Sequence, residues 1–382
     1  MRKIEKAVTR ALFAFLRLFI HVRKVGSVPR ASVRDILVIR QHNQLGDMLC
    51  AVPLLRALRA TYPAARISLL ARPLNGDVLR GAAYLDEVIV YDKSDFFRSP
   101  AAVWSFARDL KKRRFDLVIV PSTVSMSVTS DLLAFFSGAR RRIGPGRLNG
   151  KRNISGFLYN VAADLDWRQD TSAHQTQRNI DVASILVLEP VSHELEIALS
   201  EDEIRKGRQT LDKRRGKREL VIGFHPGAAK VPNRWDALRF AEIANRCAEI
   251  YGAYIVITAG PDDDEPLREM LLNCPNDHLL LRNEPIRFVA SVIRNCDVFV
   301  ANDTGMMHVA AGAGAPVLSI FGPTDPLQWA PQGRRHKFIL GRGGDPNTIS
   351  ADKVWGVLTS MLISREHSRR EAVSAGVPCD TA

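Results

Sequence analysis

Cysteine is scarce in this chain. Cys50, Cys247, Cys274, Cys296 and Cys379 stand far apart, with no CxxC and no paired spacing. That excludes a disulfide framework and a cysteine zinc site, and it fits a reducing compartment. Long hydrophobic runs are missing too: no stretch approaches the ~20 uncharged apolar residues that a bilayer-crossing helix needs. No Gly-x-Gly-x-x-Gly follows the first apolar run and no Walker sequence occurs, which excludes a nicotinamide or flavin fingerprint and a P-loop. Aromatic residues make up 7% and do not interleave with the basic clusters, so a stacking platform for single-stranded nucleic acid is excluded, and no nucleic-acid partner is expected.

Acids are the minority charge. Against 41 Asp and Glu stand 54 Lys and Arg, a net charge of +13, which suits anionic partners such as phosphorylated substrates or lipid surfaces. Residues 1–30 carry eight basic residues and one acid, Glu5. Further clusters are Lys111 to Arg114 and Arg140, Arg141, Arg142, Arg147, Lys151 and Arg152. Within residues 1–24, Ile4, Val8, Leu12, Phe15, Phe19 and Val22 recur at helical spacing, and Lys3, Arg10, Arg17 and Lys24 lie seven apart. A basic face opposite a Phe/Leu face predicts an amphipathic helix on an anionic membrane surface through residues 1–28. Two alternatives remain: a helix packed on the protein's own surface, and a signal peptide. Arg17 interrupts the apolar core that a signal peptide requires.

A length of 382 residues implies two domains. Apolar runs at Ile36–Ile39, Arg66–Leu70, Glu87–Tyr91 and Leu117–Val120 predict strands, alternating with helices near 47–59, 100–113 and 130–136. The alternation restarts at Leu220–Phe224, Tyr254–Ile257 and Val298–Val300. The fold class is therefore α/β, two doubly wound parallel-sheet domains. The expected divisions are a basic helix at 1–30, a first domain at 31–188, a linker at 189–218, a second domain at 219–349, a helix at 350–365 and a disordered tail at 366–382. Arg142-Ile-Gly144-Pro145 reads as the exit of a strand, with Arg72 likewise following one.

The densest chemistry lies at residues 297–326. A buried-strand run, Val298 to Val300, leads into Asn302-Asp303-Thr304-Gly305, a small apolar helix ended by Pro316, and a second strand, Val317 to Phe321. The helix start of such a βαβ unit offers unpaired N–H groups and a positive dipole end to an anion, usually phosphate. The plain alternative is a structural unit with Asp303 as N-cap. Asp262-Asp263-Asp264-Glu265 reads as an acidic helix start or, less readily, a hard-cation site. Asp47 is a candidate base or the N-cap of its helix, in which Pro53 marks a kink or the start of the regular part.

Three blocks in this order resemble glycosyltransferase family 9, the ADP-heptose:lipopolysaccharide heptosyltransferases of GT-B fold. They are Arg40 to Leu55 around Leu45-Gly46-Asp47, His225-Pro-Gly to Trp235, and Asn302-Asp303-Thr304-Gly305-x-x-His308 through Gly322-Pro323-Thr324-Asp325-Pro326. The resemblance implies two Rossmann-like domains facing an interdomain cleft and an inverting sugar transfer, most simply of heptose from ADP-heptose to a lipopolysaccharide-type acceptor. It makes Asp47 the catalytic base and places His225, Gly227, Lys230, Arg234, Asp264, Asp303, Thr304, Gly305 and His308 at the donor. Arg72, Arg140, Arg141 and Arg142 become candidates for acceptor anions. No cofactor or metal is implied, and the expected location is the inner face of the cytoplasmic membrane. One position departs from the family: two residues before Trp235, where a phosphate-binding Lys is usual, stands Asn233. Arg234 or Lys230 must then supply the charge, with Arg234 expected to matter more. The departure opens alternatives, a different nucleotide-sugar donor or a non-catalytic nucleotide-sugar binding protein.

Overall fold

The computed structural model describes residues 2–41, 44–92, 99–274 and 277–374. The chain divides into two compact units, Met1–His193 and Glu194–Ala382.

In the first unit, strands β1 (Asp35–Arg40), β2 (Arg66–Ala71), β3 (Glu87–Val90), β4 (Leu117–Ile119), β5 (Arg141–Leu148), β6 (Lys151–Arg152) and β7 (Val161–Leu165) form one sheet. Its order is β3-β2-β1-β4-β5-β6, with β7 also on β5. All pairings are parallel except the β5–β6 hairpin. The helices are α1 (Arg2–Phe19), α2 (Leu45–Leu49), α3 (Val52–Thr61), α4 (Pro73–Val78), α5 (Pro100–Lys112), α6 (Val128–Phe136) and α7 (Gln175–Asp181). Leu37, Ile39, Val118 and Val120 meet Leu110, Phe115 and Leu133 in a core on one face of the sheet. Pro53 stands in the first turn of α3, the starting position where its missing N–H costs nothing.

In the second unit, β8 (Val221–His225), β9 (Tyr254–Ala259), β10 (His278–Arg282), β11 (Val298–Asn302), β12 (Val317–Phe321) and β13 (Lys337–Leu340) pair in the order β10-β9-β8-β11-β12-β13, all parallel. β8, β9, β11 and β12 are buried along their whole length, which is why they read as continuous apolar runs rather than alternating ones. The helices are α8 (Glu201–Arg215), α9 (Ala237–Tyr251), α10 (Asp264–Asn273), α11 (Ile286–Ile293), α12 (Gly305–Ala313), α13 (Pro326–Trp329) and α14 (Ala351–Ser374). Trp235 and Phe224 each meet the Phe240 ring edge to face, at centroid distances of 5.0 and 6.5 Å. Gly314, at φ +97°, closes α12 two residues before Pro316.

Four expectations are corrected here. The segment 189–218 is no linker: α8 belongs to the second unit, started by a Ser200/Glu203 capping box and locked to α11 by Arg287, which grips Glu203 with two 2.6 Å hydrogen bonds. α1 ends at Phe19, so Lys24 is not on its basic face. Lys24 instead donates to the Tyr159 carbonyl at 2.6 Å. Residues 141–145 open a strand rather than close one. The last helix runs to Ser374, well into the stretch expected to be disordered; the rest of that tail, 375–382, lies outside the described residues.

Candidate functional site

In a parallel sheet of order 3-2-1-4-5-6, ligands bind where the two central strands send their connections to opposite sides. In the second unit those strands are β8 and β11. Their carboxyl ends carry His225 and Asn302. Asn302 is fully buried and ties the edge together: its amide donates to the carbonyls of Pro226 (2.8 Å) and Gly227 (3.3 Å), and its oxygen accepts the Trp235 N–H (3.0 Å). Beyond it, Thr304 occupies the N-cap position of α12 but its side chain makes no capping bond. The helix start thus has no side-chain cap from Thr304, and the alternative of Asp303 as N-cap does not hold.

Asp303 accepts 2.8 Å from the Asn233 amide, which also reaches its backbone carbonyl at 3.3 Å. Burial raises the Asp303 carboxyl above the ordinary carboxylate range, opposed by a Thr324 hydrogen bond and by the charge of Lys230. Asn233 is buried, whereas Lys230 is exposed. Arg234 has a different employment: Nε donates to Ala228 O at 2.8 Å, Nη2 to Asp262 O at 3.4 Å, and Nη1 lies 3.5 Å from Glu265. It braces the loop over the first turn of α10. His308, in the first turn of α12, is buried edge-on to Trp329 at 6.3 Å.

His225 Nδ1 donates to the Thr258 carbonyl at 3.0 Å, and Nε2 lies 3.6 Å from Asp263. Burial lowers its pKa, opposed by Asp263 and the Thr258 bond. Asp263 sits against Gly227 so closely that a Cβ there would fall 2.0 Å from its Oδ1, which is why this loop needs glycine. Asp264 points elsewhere: it is exposed and pairs with Arg282 at 2.6 Å. The acidic run thus starts a helix, and among the described residues no three His, Cys, Asp or Glu gather as a metal site.

The first unit has its own switch point between β1 and β4. Asp47 lies inside α2, with Gln44 at the N-cap position, so it does not cap the helix. It is 5% exposed, and its Oδ1 has no hydrogen-bond partner among the described residues. Arg40, at the end of β1 and 3% exposed, brings Nη2 to 3.6 Å from that oxygen. Arg40 Nη1 donates to Pro121 O beyond β4 and to Asn179 Oδ1 (2.9 Å) on α7, while the Asn179 amide donates to Cys50 O at 3.2 Å, in the α2–α3 turn. Burial lowers the Arg40 pKa, opposed by Asp47. The Asp47 carboxylate is thus buried beside one cation at the carboxyl edge of the first sheet.

Residues 103–353 match the family described as glycosyltransferase family 9 (heptosyltransferase). The chain belongs to glycosyltransferase family 9. Among curated proteins it is 26% identical over 335 residues to lipopolysaccharide heptosyltransferase 2 of Escherichia coli K12, covering 83% of this chain and 91% of that one. It is also 26% identical over 292 residues to lipopolysaccharide heptosyltransferase 3 of the same strain, covering 75% and 82%. Among solved structures, the fold matches a family 9 glycosyl transferase from Veillonella parvula with a TM-score of 0.79 at 20% identity, covering 89% and 100%. It matches E. coli ADP-heptose lps heptosyltransferase II with 0.72 at 24%, covering 87% and 99%. This family 9 enzyme is therefore a glycosyltransferase with the two parallel-sheet domains of a GT-B fold.

Sequence reading named Asp47, His225, Gly227, Asp303, Thr304, Gly305 and His308, and all lie at carboxyl edges of the two sheets. Arg72, at the N-cap position of α4, also follows a strand. Arg140, Arg141 and Arg142 do not. Leu117 pairs with Arg141 at the entry of β4 and β5, so this triplet occupies the amino edge, opposite Asp47. Arg142 is buried there, donating to Leu158 O (2.9 Å) and Ala139 O (2.6 Å), while Arg141 donates to Ser32 Oγ (3.0 Å). Their assignment to the acceptor is withdrawn. The cations at the carboxyl end of β5 are the exposed Arg147, Lys151 and Arg152 of the hairpin. Sequence reading gave Arg40, Asn179 and Asn302 no role of their own and named Asp263 only within an acidic helix start or hard-cation run; Asn302, adjoining Asp303 in the motif, left a usable signal.

Proposed function

We propose that this glycosyltransferase moves heptose from ADP-heptose to a lipopolysaccharide-type acceptor with inversion. Asp47 takes the proton from the acceptor hydroxyl. The open start of α12, with Asp303, Thr304, Gly305 and His308, receives the diphosphate, and Lys230 supplies the side-chain cation. His225, Gly227, Arg234 and Asp264 shape the rest of the donor site. Arg72 and the hairpin cations Arg147, Lys151 and Arg152 meet anionic groups of the acceptor. No metal takes part. Residues 1–28 hold the enzyme on the inner face of the cytoplasmic membrane, where a lipid-linked acceptor is presented.

The observation carrying this reading is the buried Asp47 Oδ1, which has no hydrogen-bond partner among the described residues and only the Arg40 guanidinium at 3.6 Å. Leaving such an acceptor without a partner costs roughly 1–3 kcal/mol, and an arriving hydroxyl supplies the missing hydrogen bond. The names of the two E. coli relatives point to the same sugar and acceptor class. A second reading keeps the chemistry and changes the donor to another nucleotide sugar; Asn233, bonded to Asp303 where the family usually has Lys, favours it. A panel of nucleotide sugars, read by hydrolysis and thermal shift, separates the two. ADP-heptose should give the largest response. A response to another nucleotide sugar with none to ADP-heptose would overturn the first reading in favour of the second.

A further inference from the structure

One face of the first unit is both apolar and basic well beyond α1. On α1, Val8, Leu12, Phe15 and Phe19 form a stripe at helical spacing and are 62, 52, 58 and 67% exposed. Phe15 and Phe19 lie ring to ring at 4.9 Å. More than a third of a turn round the helix from that stripe, Phe13 is buried against Phe157 at 6.4 Å. The following strap is tied down by Lys24 on Tyr159 O and by Asn160 on the Arg23 carbonyl (2.8 Å). The helix is thus fixed by one side, and its Phe stripe stays uncovered.

The same layer continues through α5 and α6. They are the crossovers from β3 to β4 and from β4 to β5, which places them on one face of the sheet. Gly138, just past α6, abuts α5: a Cβ there would lie 3.1 Å from Lys111 Cγ. The turn carrying Phe157 is tied to α6 because Ser155 and Tyr159, on either side of it, donate to Asp131. Trp104 on α5 is 77% exposed and Phe136 on α6 is 46% exposed. Arg108 and Lys111 follow Trp104 at i+4 and i+7, on its side of the helix. From 100 to 114 there are five basic residues and one acid, Asp109. A Trp with exposed cations on its own helix face suits a headgroup boundary, where the ring's apolar body and N–H tip are both satisfied.

We propose that α1, α5 and α6 together form a docking face for an anionic lipid bilayer, with Trp104 and Phe136 as a second insertion point beside the Phe15/Phe19 stripe. The occupant is a bilayer rather than a second copy of the chain, because a face with a large excess of basic over acidic residues repels its own copy and attracts anionic headgroups. The inference rests on the membrane reading of residues 1–28 and extends it to elements that reading does not include.

The test is flotation of the full chain with phosphatidylcholine vesicles, with and without about a third phosphatidylglycerol, together with quenching of Trp fluorescence by brominated lipid. The wild type should float with the anionic vesicles only and show quenching that W104F loses. The double variant W104S/F136S should bind about tenfold more weakly with α1 intact, and F15S/F19S should weaken binding independently. Wild-type binding by W104S/F136S, or quenching retained in W104F, overturns the α5–α6 insertion point while leaving α1 in place. Loss of effect in F15S/F19S alone overturns the role of α1 instead. Equal binding to neutral vesicles, or a dimer in solution that W104S/F136S disperses, overturns the anionic bilayer as occupant.

Discussion

The side-chain amide of Asn233 donates to the carboxylate of Asp303 at 2.8 Å, at the opening of the proposed diphosphate site. A neutral donor therefore covers the acidic side chain of Asp303, which flanks the start of α12. A Lys here would add a full charge. N233K is expected to tighten ADP binding about tenfold, the range of one added charge contact near a phosphate. N233A, which leaves Asp303 uncovered, is expected to weaken it by a similar factor. Calorimetry with ADP measures both; unchanged affinity in both variants would place the diphosphate elsewhere.

Lys230 and Arg234 divide the work that the sequence leaves open between them. Arg234 is bound to two backbone carbonyls and to Glu265, whereas Lys230 is exposed and acts on Asp303 through charge. K230A is expected to raise the donor KM about tenfold and to flatten its salt dependence. R234A is expected to lower Tm more than it changes KM. This reverses the ranking that sequence alone suggests, and steady-state kinetics at two salt concentrations checks it.

Gly207 sits inside α8, where Ala would normally be preferred by about 1 kcal/mol. Here a Cβ would lie 2.2 Å from the Ser291 carbonyl oxygen of α11. G207A is expected to destabilise the second unit by about 2 kcal/mol, in line with overpacking of a tight contact. Urea unfolding measures it, and a stabilised variant would show that α8 and α11 do not pack this closely.

His336 accepts the Val317 N–H through Nδ1, and burial, with Arg335 nearby, holds its pKa down to about 4. The folded pKa lies below the ordinary value of 6.5, so the neutral ring is the stabilising form. Its contribution is complete above pH 6.5 and is lost as pH falls toward 4. Between neutral pH and pH ~5 the loss amounts to about 2 kcal/mol. Glu203, held near 2 by its Arg287 hydrogen bonds, adds a separate loss only below its ordinary 4.5. H336N is expected to reduce the slope of the upper part of the stability profile, to which His225, also lowered by burial, still contributes, and to leave the lower part unchanged.

What could be read from sequence follows from burial. The continuous apolar runs of β8, β9, β11 and β12 announce fully buried strands, and with them the doubly wound second unit. β13 and β7 are largely exposed or half-exposed, so their patterns merge with loops. The Arg140 triplet was misplaced because Gly144-Pro145 looks like a turn; in fact β5 passes through both, and Gly144 is required because a Cβ there would fall 2.2 Å from the Tyr159 ring. Asp47 stands out by its motif, but Arg40 does not. An arginine at a strand end looks like a solvated charge until Asn179, 139 residues away, is seen to hold it in the interior.

The central claim is that Asp47 is the base for sugar transfer. It is tested most directly by measuring ADP release from ADP-heptose with a heptose-deficient lipopolysaccharide acceptor, for the wild type and D47N, alongside ADP affinity. The asparagine keeps shape but cannot take a proton, so D47N should lose turnover by at least about 100-fold while binding ADP as the wild type does. Turnover by D47N at the wild-type rate would contradict the assignment.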